Sequence, residues 1–216
     1  MTESPAPGPT VVGGIRAGLY ALKPWFADRL ARVRRFLVRH RVSPNTISLC
    51  GVGFGALAGL ALATLSAGPV RGLTVAALLV ARLACANLDG AVARESGRAG
   101  RFGGVVNELG DRCAELFALA GCAAMAATPE WLLGLTALAC CAPSWVALAG
   151  AAAGAPRVQG GPAGKTERCL LLILIASIGH VGPLLWVLAI GSALTAVLRI
   201  VRLRSLLMTP PEGTAS

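Results

Sequence analysis

The chain has 216 residues, of which 55% are hydrophobic and 14% are charged, and its mean hydropathy is +0.69. This composition is too apolar for a water-soluble domain, and at about 20 residues per span it leaves room for about six membrane-spanning helices. The formal net charge of +10 would suggest nucleic acid in a soluble protein. However, no basic segment is interleaved with aromatic residues, so we expect no nucleic-acid binding and an anionic lipid bilayer as the partner.

The N-terminal part of the chain divides into two segments before the first apolar run. Residues 1–13 are rich in Pro, Gly and Thr and lack a basic region followed by an apolar core, so we expect a disordered N-terminus and no cleavable signal peptide. Residues 14–41 place apolar side chains at helical spacing among eight Lys and Arg residues. This pattern predicts an amphipathic juxtamembrane helix whose main segment begins near Pro24 and whose basic face meets lipid phosphates.

Six apolar segments follow within residues 43–205, and Ser43 and Pro44 mark the start of the first. The predicted spans are residues 47–65, 72–93, 103–126, 131–153, 168–178 and 183–203, and residues 206–216 are expected to form a flexible C-terminal tail. The predicted fold is therefore an all-α integral membrane protein with six transmembrane helices preceded by an amphipathic interfacial helix. The seven cysteines lie in or beside these segments without a CxxC pair, which predicts buried single thiols.

The Lys and Arg residues are distributed unequally between the two sides of this layout. Eight precede the first span, and three lie in or beside each of the second-to-third loop, the fourth-to-fifth loop and the end of the last span. The opposite loops contain only Arg71. Because positive loops stay inside, both termini are predicted to be cytoplasmic, in a bacterial inner membrane.

Ionisable side chains within the predicted spans are concentrated in the second and third. Each is costly in hydrocarbon unless it faces protein or a water-filled cavity, so each is a functional hypothesis. Helical spacing gives both helices a polar stripe, and the two stripes approach the same short basic loop. Oxygen ligands from two helices suit a hard divalent cation, Mg2+ or Mn2+. The residues concerned are Arg82 and Asp89 in the second span and Asn107, Glu108, Asp111, Arg112 and Glu115 in the third.

The same stripes contain a spaced motif, which reads Asp89-Gly90-x-x-Ala93-Arg94, then eight residues, then Gly103-x-x-x-Asn107-x-x-x-Asp111. This motif resembles the signature of the CDP-alcohol phosphotransferase family, DxxDGxxAR, eight residues, GxxxDxxxD. Pro-Asn-Thr at residues 44–46 and Gly-Lys-Thr-Glu-Arg at residues 164–168 are also similar to recurrent features of that family. The resemblance therefore covers most of the chain, from about residue 14 to residue 205.

The resemblance implies a six-helix membrane enzyme of phospholipid biosynthesis. Such an enzyme transfers a phosphatidyl or similar group from CDP-diacylglycerol or another CDP-alcohol to a small alcohol acceptor and releases CMP. In the family pattern the acids bind two divalent metal ions, and the last acid is also the general base. The resemblance thus makes Asp111 the base and a metal ligand, and it also implies a homodimer. It assigns nucleotide binding to Asp89, Gly90, Ala93, Arg94 and Gly103, with Asp89 also a metal ligand.

The chain departs from the family pattern at two of its four acids. The first falls on Ala86, which has no ligand atom, and the third falls on Asn107, which offers only a neutral carbonyl. Asn87 and Glu108 each lie one position away, turned by about 100°, and supply a replacement oxygen if the helices rotate or unwind slightly. The predicted metal set is accordingly Asp89, Asn107, Asp111 and Glu108. One metal ion instead of two, an altered donor and lost activity all remain open.

Three basic residues outside the motif have two interpretations each. Arg82 either binds a phosphate of the acceptor or pairs with Glu115 or Asp111 inside the bundle. Lys165 and Arg168 are candidate contacts for an acceptor phosphate, although their charge also serves to set the membrane topology.

Two further functions compete with transfer from a CDP-alcohol. The replacement of two acids favours a catalytically impaired family member that binds CDP-lipid or a partner protein. A small transporter or a prenyl transferase would also place acids near a diphosphate, but neither assigns a role to the Gly-Ala-Arg spacing of the motif.

Overall fold

The computed structural model describes residues 28–125 and 128–208, and every regular element in these ranges is helical. The all-α prediction is therefore confirmed. The predicted N-terminal segment 1–13, the first half of the predicted amphipathic segment and residues 209–216 of the predicted tail lie outside the described residues. The helices are α1 (Ala31–Arg39), α2 (Pro44–Thr64), α3 (Pro69–Glu95), α4 (Arg101–Ala120), α5 (Glu130–Ala152), α6 (Lys165–Ile178) and α7 (Val181–Met208), with a 3-10 turn at Gly121–Ala124.

Helix α1 is the described part of the predicted amphipathic segment, and it lies against the start of α2 and the end of α3. Leu37 on its inner side packs on a small cluster formed by Ile47 and Val92. Arg34 Nε forms an ion pair of 2.8 Å with Glu95, the last residue of α3. The other arginines of the helix stay exposed, as expected for a helix at a lipid interface.

Helices α2, α3, α5 and α7 are the four described helices that are long and apolar enough to cross a membrane. Helix α4 follows the third predicted span but ends at Ala120, and its middle carries four charged residues. Helix α6 follows the fifth predicted span and has 14 residues, a length of about 21 Å that is shorter than a bilayer core. The number of six spans therefore stays a prediction. Many large apolar side chains point outward from the long helices, which is the arrangement lipid contact requires.

Glycines of α2 allow α4 to approach closely. A Cβ atom added at Gly55 would stand within 3 Å of the backbone of Ala114, and one added at Gly59 would meet the backbone of Phe117. Close contact through small residues is how transmembrane helices gain packing without a hydrophobic driving force. These glycines thus bring the polar stripe of α4 against α2 and α3.

Arg71 is buried, although its sequence position suggested a charge in a loop between two spans. It is 4% exposed and lies in the first turn of α3. Its Nε donates to the backbone oxygen of Ala176 at 2.8 Å, and its Nη1 donates to that of Leu65 at 3.0 Å. The carbonyls at a helix C-terminus have no partner within the helix, so Arg71 caps the ends of α2 and α6 together.

The seven cysteines are free, but they are not all buried as predicted. Cys122, Cys140, Cys141 and Cys169 are buried, whereas Cys50 and Cys113 are exposed on outward faces of α2 and α4. A thiol is apolar enough to face lipid, so location in a predicted span does not require burial inside the protein.

The end of the bundle where α2, α4 and α6 begin and α3 ends is called the motif end here, because it carries the spaced motif. The largest apolar core lies between this end and the caps at Arg71. Its fully buried members include Leu79, Leu132, Ile175 and Leu185.

Candidate active site

Asp89 of α3 and Asp111 of α4 line the same small cavity at the motif end. Both are nearly buried, with exposures of 5% and 7%. The wall is completed by residues of α2, α3 and α4, among them Ser48, Gly51, Arg82, Ala86 and Asn107. The cavity therefore brings together the two acids predicted from the sequence, Asp89 and Asp111, and the two positions where the family pattern has further acids, Ala86 and Asn107.

The carboxylate of Asp89 is held by three donors. Ser48 Oγ donates to Oδ2 at 2.7 Å, Asn107 Nδ2 donates to the same oxygen, and the backbone N–H of Gly90 donates to Oδ1 at 2.6 Å. Asn107 thus acts as a donor to the acid of the neighbouring helix. Sequence analysis missed Ser48, whose only sequence signal is its place one turn after the start of α2.

The carboxylate of Asp111 is held by two cations. Lys165 Nζ donates to Oδ2, and Arg82 Nη2 lies 3.9 Å from Oδ1 while donating to the backbone oxygen of Asp111 at 3.0 Å. Of the two partners predicted for Arg82, the structure selects Asp111. Arg82 is 3% exposed, and its Nη1 also donates to Cys169 Sγ at 3.4 Å.

A second ionic cluster lies one helical turn deeper, around Glu115. Arg112 Nη1 donates to Glu115 at 2.5 Å, and Arg168 forms an ion pair with the other oxygen of the same carboxylate. Arg168, 4% exposed, also donates to the backbone oxygen of Ala163 at 3.2 Å. In the structure the guanidinium of Arg168 is therefore engaged by protein atoms. Its contact with an acceptor phosphate stays a prediction.

Glu108 does not line the cavity, in contrast to its predicted place in the metal set. It points toward the α5–α6 connection, where its carboxylate pairs with Arg157, and half of the Arg157 side chain is exposed. Asn87 is also turned away, since its Nδ2 donates to the backbone oxygen of Leu83 at 2.7 Å. The helices therefore do not rotate to bring either replacement oxygen inward. Arg157 had no sequence signal beyond its charge.

Apart from Asp89, the predicted nucleotide-binding residues lie at the outer edge of the same end. Gly90, Ala93 and Gly103 are partly exposed, and Arg94 is exposed. A Cβ atom at Gly90 would stand 3.3 Å from the guanidinium of Arg94, so a side chain at this position would crowd that guanidinium. These residues lie next to the cavity, since Gly90 directly follows Asp89 in its wall. The role of these residues in nucleotide binding stays a prediction.

The oxygen atoms around the cavity suit one divalent cation better than two. Asp89 and Asp111 offer carboxylates, Ser48 offers a hydroxyl, and the Asn107 carboxamide would offer its oxygen after a half-turn, whereas Ala86 offers nothing. Among the described residues, no group of three or more His, Cys, Asp or Glu side chains is placed to hold a metal ion. Two carboxylates with water completing the coordination are a common arrangement for Mg2+. The residues present therefore fit a single hydrated ion.

Comparison with known proteins gives matches over most of the chain. Residues 41–202 match the sequence model of the CDP-alcohol phosphatidyltransferase family. The inner membrane protein YnbA of Escherichia coli (strain K12) is 29% identical over 201 residues, which are 90% of this chain and 98% of YnbA. The four apolar helices and this relative make the chain a multi-pass bacterial membrane protein.

Solved structures of a phosphatidylinositol phosphate synthase, PgsA1 of Mycobacterium tuberculosis, have the same fold. The structure with CDP-DAG bound has a TM-score of 0.64 at 22% identity and covers 84% of this chain and 94% of its own. The structure with manganese and citrate has a TM-score of 0.64 at 22% identity and covers 81% and 88%. Since the family model spans most of the sequence, the chain belongs to the CDP-alcohol phosphatidyltransferase family.

Proposed function

We propose that this protein transfers a phosphatidyl or similar phosphoalcohol group from a CDP-alcohol, such as CDP-diacylglycerol, to a small acceptor alcohol with release of CMP. The observation that carries the proposal is the convergence of Asp89 and Asp111 on one cavity beside the Gly90 edge, in a chain of this family. The CDP-DAG bound to PgsA1 supports the class of donor.

In the proposed reaction the hydroxyl oxygen of the acceptor attacks the β-phosphorus of the donor. A new P–O bond forms, the bond between the β-phosphorus and the bridging oxygen breaks, and CMP leaves with that electron pair. Asp111 accepts the proton of the hydroxyl, which requires that its Oδ2 first be released from Lys165. Because little covalent chemistry falls to the protein, positioning and electrostatic stabilisation dominate such a step.

Asp89, Asp111 and the amide oxygen of Asn107 would hold one Mg2+ or Mn2+. When bound, the ion neutralises pyrophosphate charge and polarises the phosphoryl oxygen that gains charge. Ser48 holds the Asp89 carboxylate in place through its hydrogen bond of 2.7 Å. The PgsA1 structure with manganese supports a divalent ion in this fold.

The remaining assignments rest on the family motif and on the positions of the residues. Asp89, Gly90, Ala93, Arg94 and Gly103 form the proposed surface for the cytidine nucleotide, and the Arg94 guanidinium can pair with a phosphate. Lys165, whose side chain is 39% exposed, is the best placed of the three predicted contacts for an acceptor phosphate. We further propose six spans, a cytoplasmic motif end with both termini on that side, and a homodimer.

A specific observation favours a second candidate, a catalytically impaired protein that binds CDP-lipid or a partner protein. Ala86 contributes no ligand to the cavity wall, Asp89 is held by neutral donors, and Asp111 is already paired with Lys165. In this candidate the site keeps its shape for the nucleotide without activating an acceptor.

One experiment separates the two functions. The purified protein in nanodiscs is mixed with CDP-diacylglycerol and a panel of alcohols, with and without Mg2+ or Mn2+, and CMP release is measured. Release that needs a metal and an alcohol, and that Asp111→Asn abolishes, supports transfer and names the acceptor. Binding of CDP-lipid with no release under any condition would refute transfer in favour of the impaired protein.

A further inference from the structure

The cavity at the motif end is electrically balanced by the chain itself. Its two carboxylates, Asp89 and Asp111, carry two negative charges, and the cations that contact Asp111 are Arg82 and Lys165. A divalent ion entering this cavity therefore meets a nearly neutral site rather than a strongly negative one. Its affinity depends on whether one of the two cations leaves.

Arg82 is fixed in place. Its side chain is 4% exposed, and it donates both to the backbone oxygen of Asp111 and to Cys169 Sγ on α6. Moving it would leave buried donors without acceptors, at a cost comparable to burying an unpaired charge.

Lys165 is in the opposite situation. It is the first residue of α6, its side chain is 39% exposed, and its ammonium reaches Asp111 Oδ2 from the open side of the motif end. The ammonium is carried on a flexible four-carbon side chain that is partly exposed, and a divalent ion that takes its place keeps the charge of Asp111 compensated. Lys165 is therefore the cation that can leave.

We propose that Lys165 is a built-in counter-ion of Asp111 that a divalent cation must displace, and that Lys165 thereby lowers the affinity of the site for metal. A double and a single positive charge a few ångströms apart repel strongly even at a high effective dielectric constant, so both cannot occupy Asp111. The inference rests on the proposed function, because it takes this cavity as the metal site. It adds that metal binding frees the Lys165 ammonium at the cavity mouth, where it becomes available to an incoming phosphate.

The test measures metal binding rather than activity. Mn2+ is titrated into the full-length protein in nanodiscs, free Mn2+ is followed by electron paramagnetic resonance, and wild type is compared with Lys165→Met. We expect Lys165→Met to lower the Mn2+ dissociation constant about tenfold, which corresponds to about 1.4 kcal/mol.

Two further variants make the comparison specific. Arg157→Met removes a cation of similar exposure from the same end, but its partner is Glu108 and not Asp111. We expect it to change the dissociation constant less than about threefold. Lys165→Arg keeps a positive charge beside Asp111, so we expect it to stay close to wild type. A melting temperature recorded for each variant confirms that it is folded.

Three outcomes would overturn the inference: no tightening in Lys165→Met, equal tightening in Arg157→Met, or no Mn2+ site in any variant. CMP release is measured on the same preparations, so that the counter-ion role of Lys165 and the proposed transferase activity are tested separately. Metal-dependent release without tightening would refute only the counter-ion role of Lys165. Tighter Mn2+ binding by Lys165→Met, with no CMP release under any condition, would refute only the proposed transferase activity.

Discussion

Glu115→Gln tests whether the deeper ionic cluster stabilises the bundle through charge. Glu115 is the shared partner of Arg112 and Arg168, and all three side chains are at most 10% exposed. Glutamine keeps the shape and one acceptor oxygen but removes the negative charge. The substitution therefore leaves two guanidinium groups buried side by side, within the middle of a helix bundle.

The expected loss of unfolding free energy is large because the charged groups are buried; an ion pair on the surface would contribute little. Removing one partner of a buried ion pair typically destabilises a protein by about 3–5 kcal/mol, since the remaining charge is left uncompensated. The chain offers a matched control in Glu95→Gln, because Glu95 pairs with Arg34 at 2.8 Å while the two side chains are 41% and 37% exposed. Exposed pairs contribute about 0.2–1 kcal/mol, so the control should lose no more than that.

The measurement is the free energy of unfolding in mixed detergent micelles for wild type and both variants. We expect Glu115→Gln to lose at least about 2 kcal/mol more than Glu95→Gln. If both variants lose the same amount, or if Glu115→Gln is within about 1 kcal/mol of wild type, the argument that the two buried guanidinium groups depend on this carboxylate is wrong.

Three other predictions follow from single positions. Asp111→Asn should lower metal-dependent CMP release by about 100-fold or more, because a carboxamide cannot accept the proton. Residual activity above a tenth of wild type would contradict the role of Asp111 as general base. Gly59→Ala should lower the melting temperature because its Cβ would meet the backbone of Phe117, whereas Gly53→Ala, with open space, should not. Arg71→Met should cost about 2–4 kcal/mol of unfolding free energy by leaving buried carbonyls unpaired, with CMP release per folded molecule unchanged.

Membership in the family does not by itself determine how this chain handles metal. The family pattern has four acids, whereas here Ala86 and Asn107 reduce the cavity to two carboxylates. The structure gives Asn107 a different task, the donation of a hydrogen bond to Asp89. At a site with fewer negative charges and a nearby ammonium, the proposed divalent ion should bind more weakly than at a site with four acids.

Local features of the sequence were enough to predict the fold class and the meeting of Asp89 and Asp111 at one cavity. Apolar runs of about 20 residues predict spanning helices because a bilayer core is about 30 Å thick, and the long helices α2, α3, α5 and α7 agree. The spacing of Asp89 and Asp111 predicts that they meet, because helical periodicity places each on a stripe and a short loop makes the two helices antiparallel. Hydropathy and periodicity depend on neighbours along the chain, and both can be read from the sequence.

The partners of the polar side chains were decided only by the tertiary structure. Ser48 contacts Asp89 across 41 positions, Glu108 pairs with Arg157 instead of joining the metal set, and Arg71 caps two helix ends instead of lying in a loop. Which donor reaches a buried acid depends on helix rotation and on the close approach at glycines such as Gly55. These are long-range packing properties, and no local pattern in the sequence encodes them.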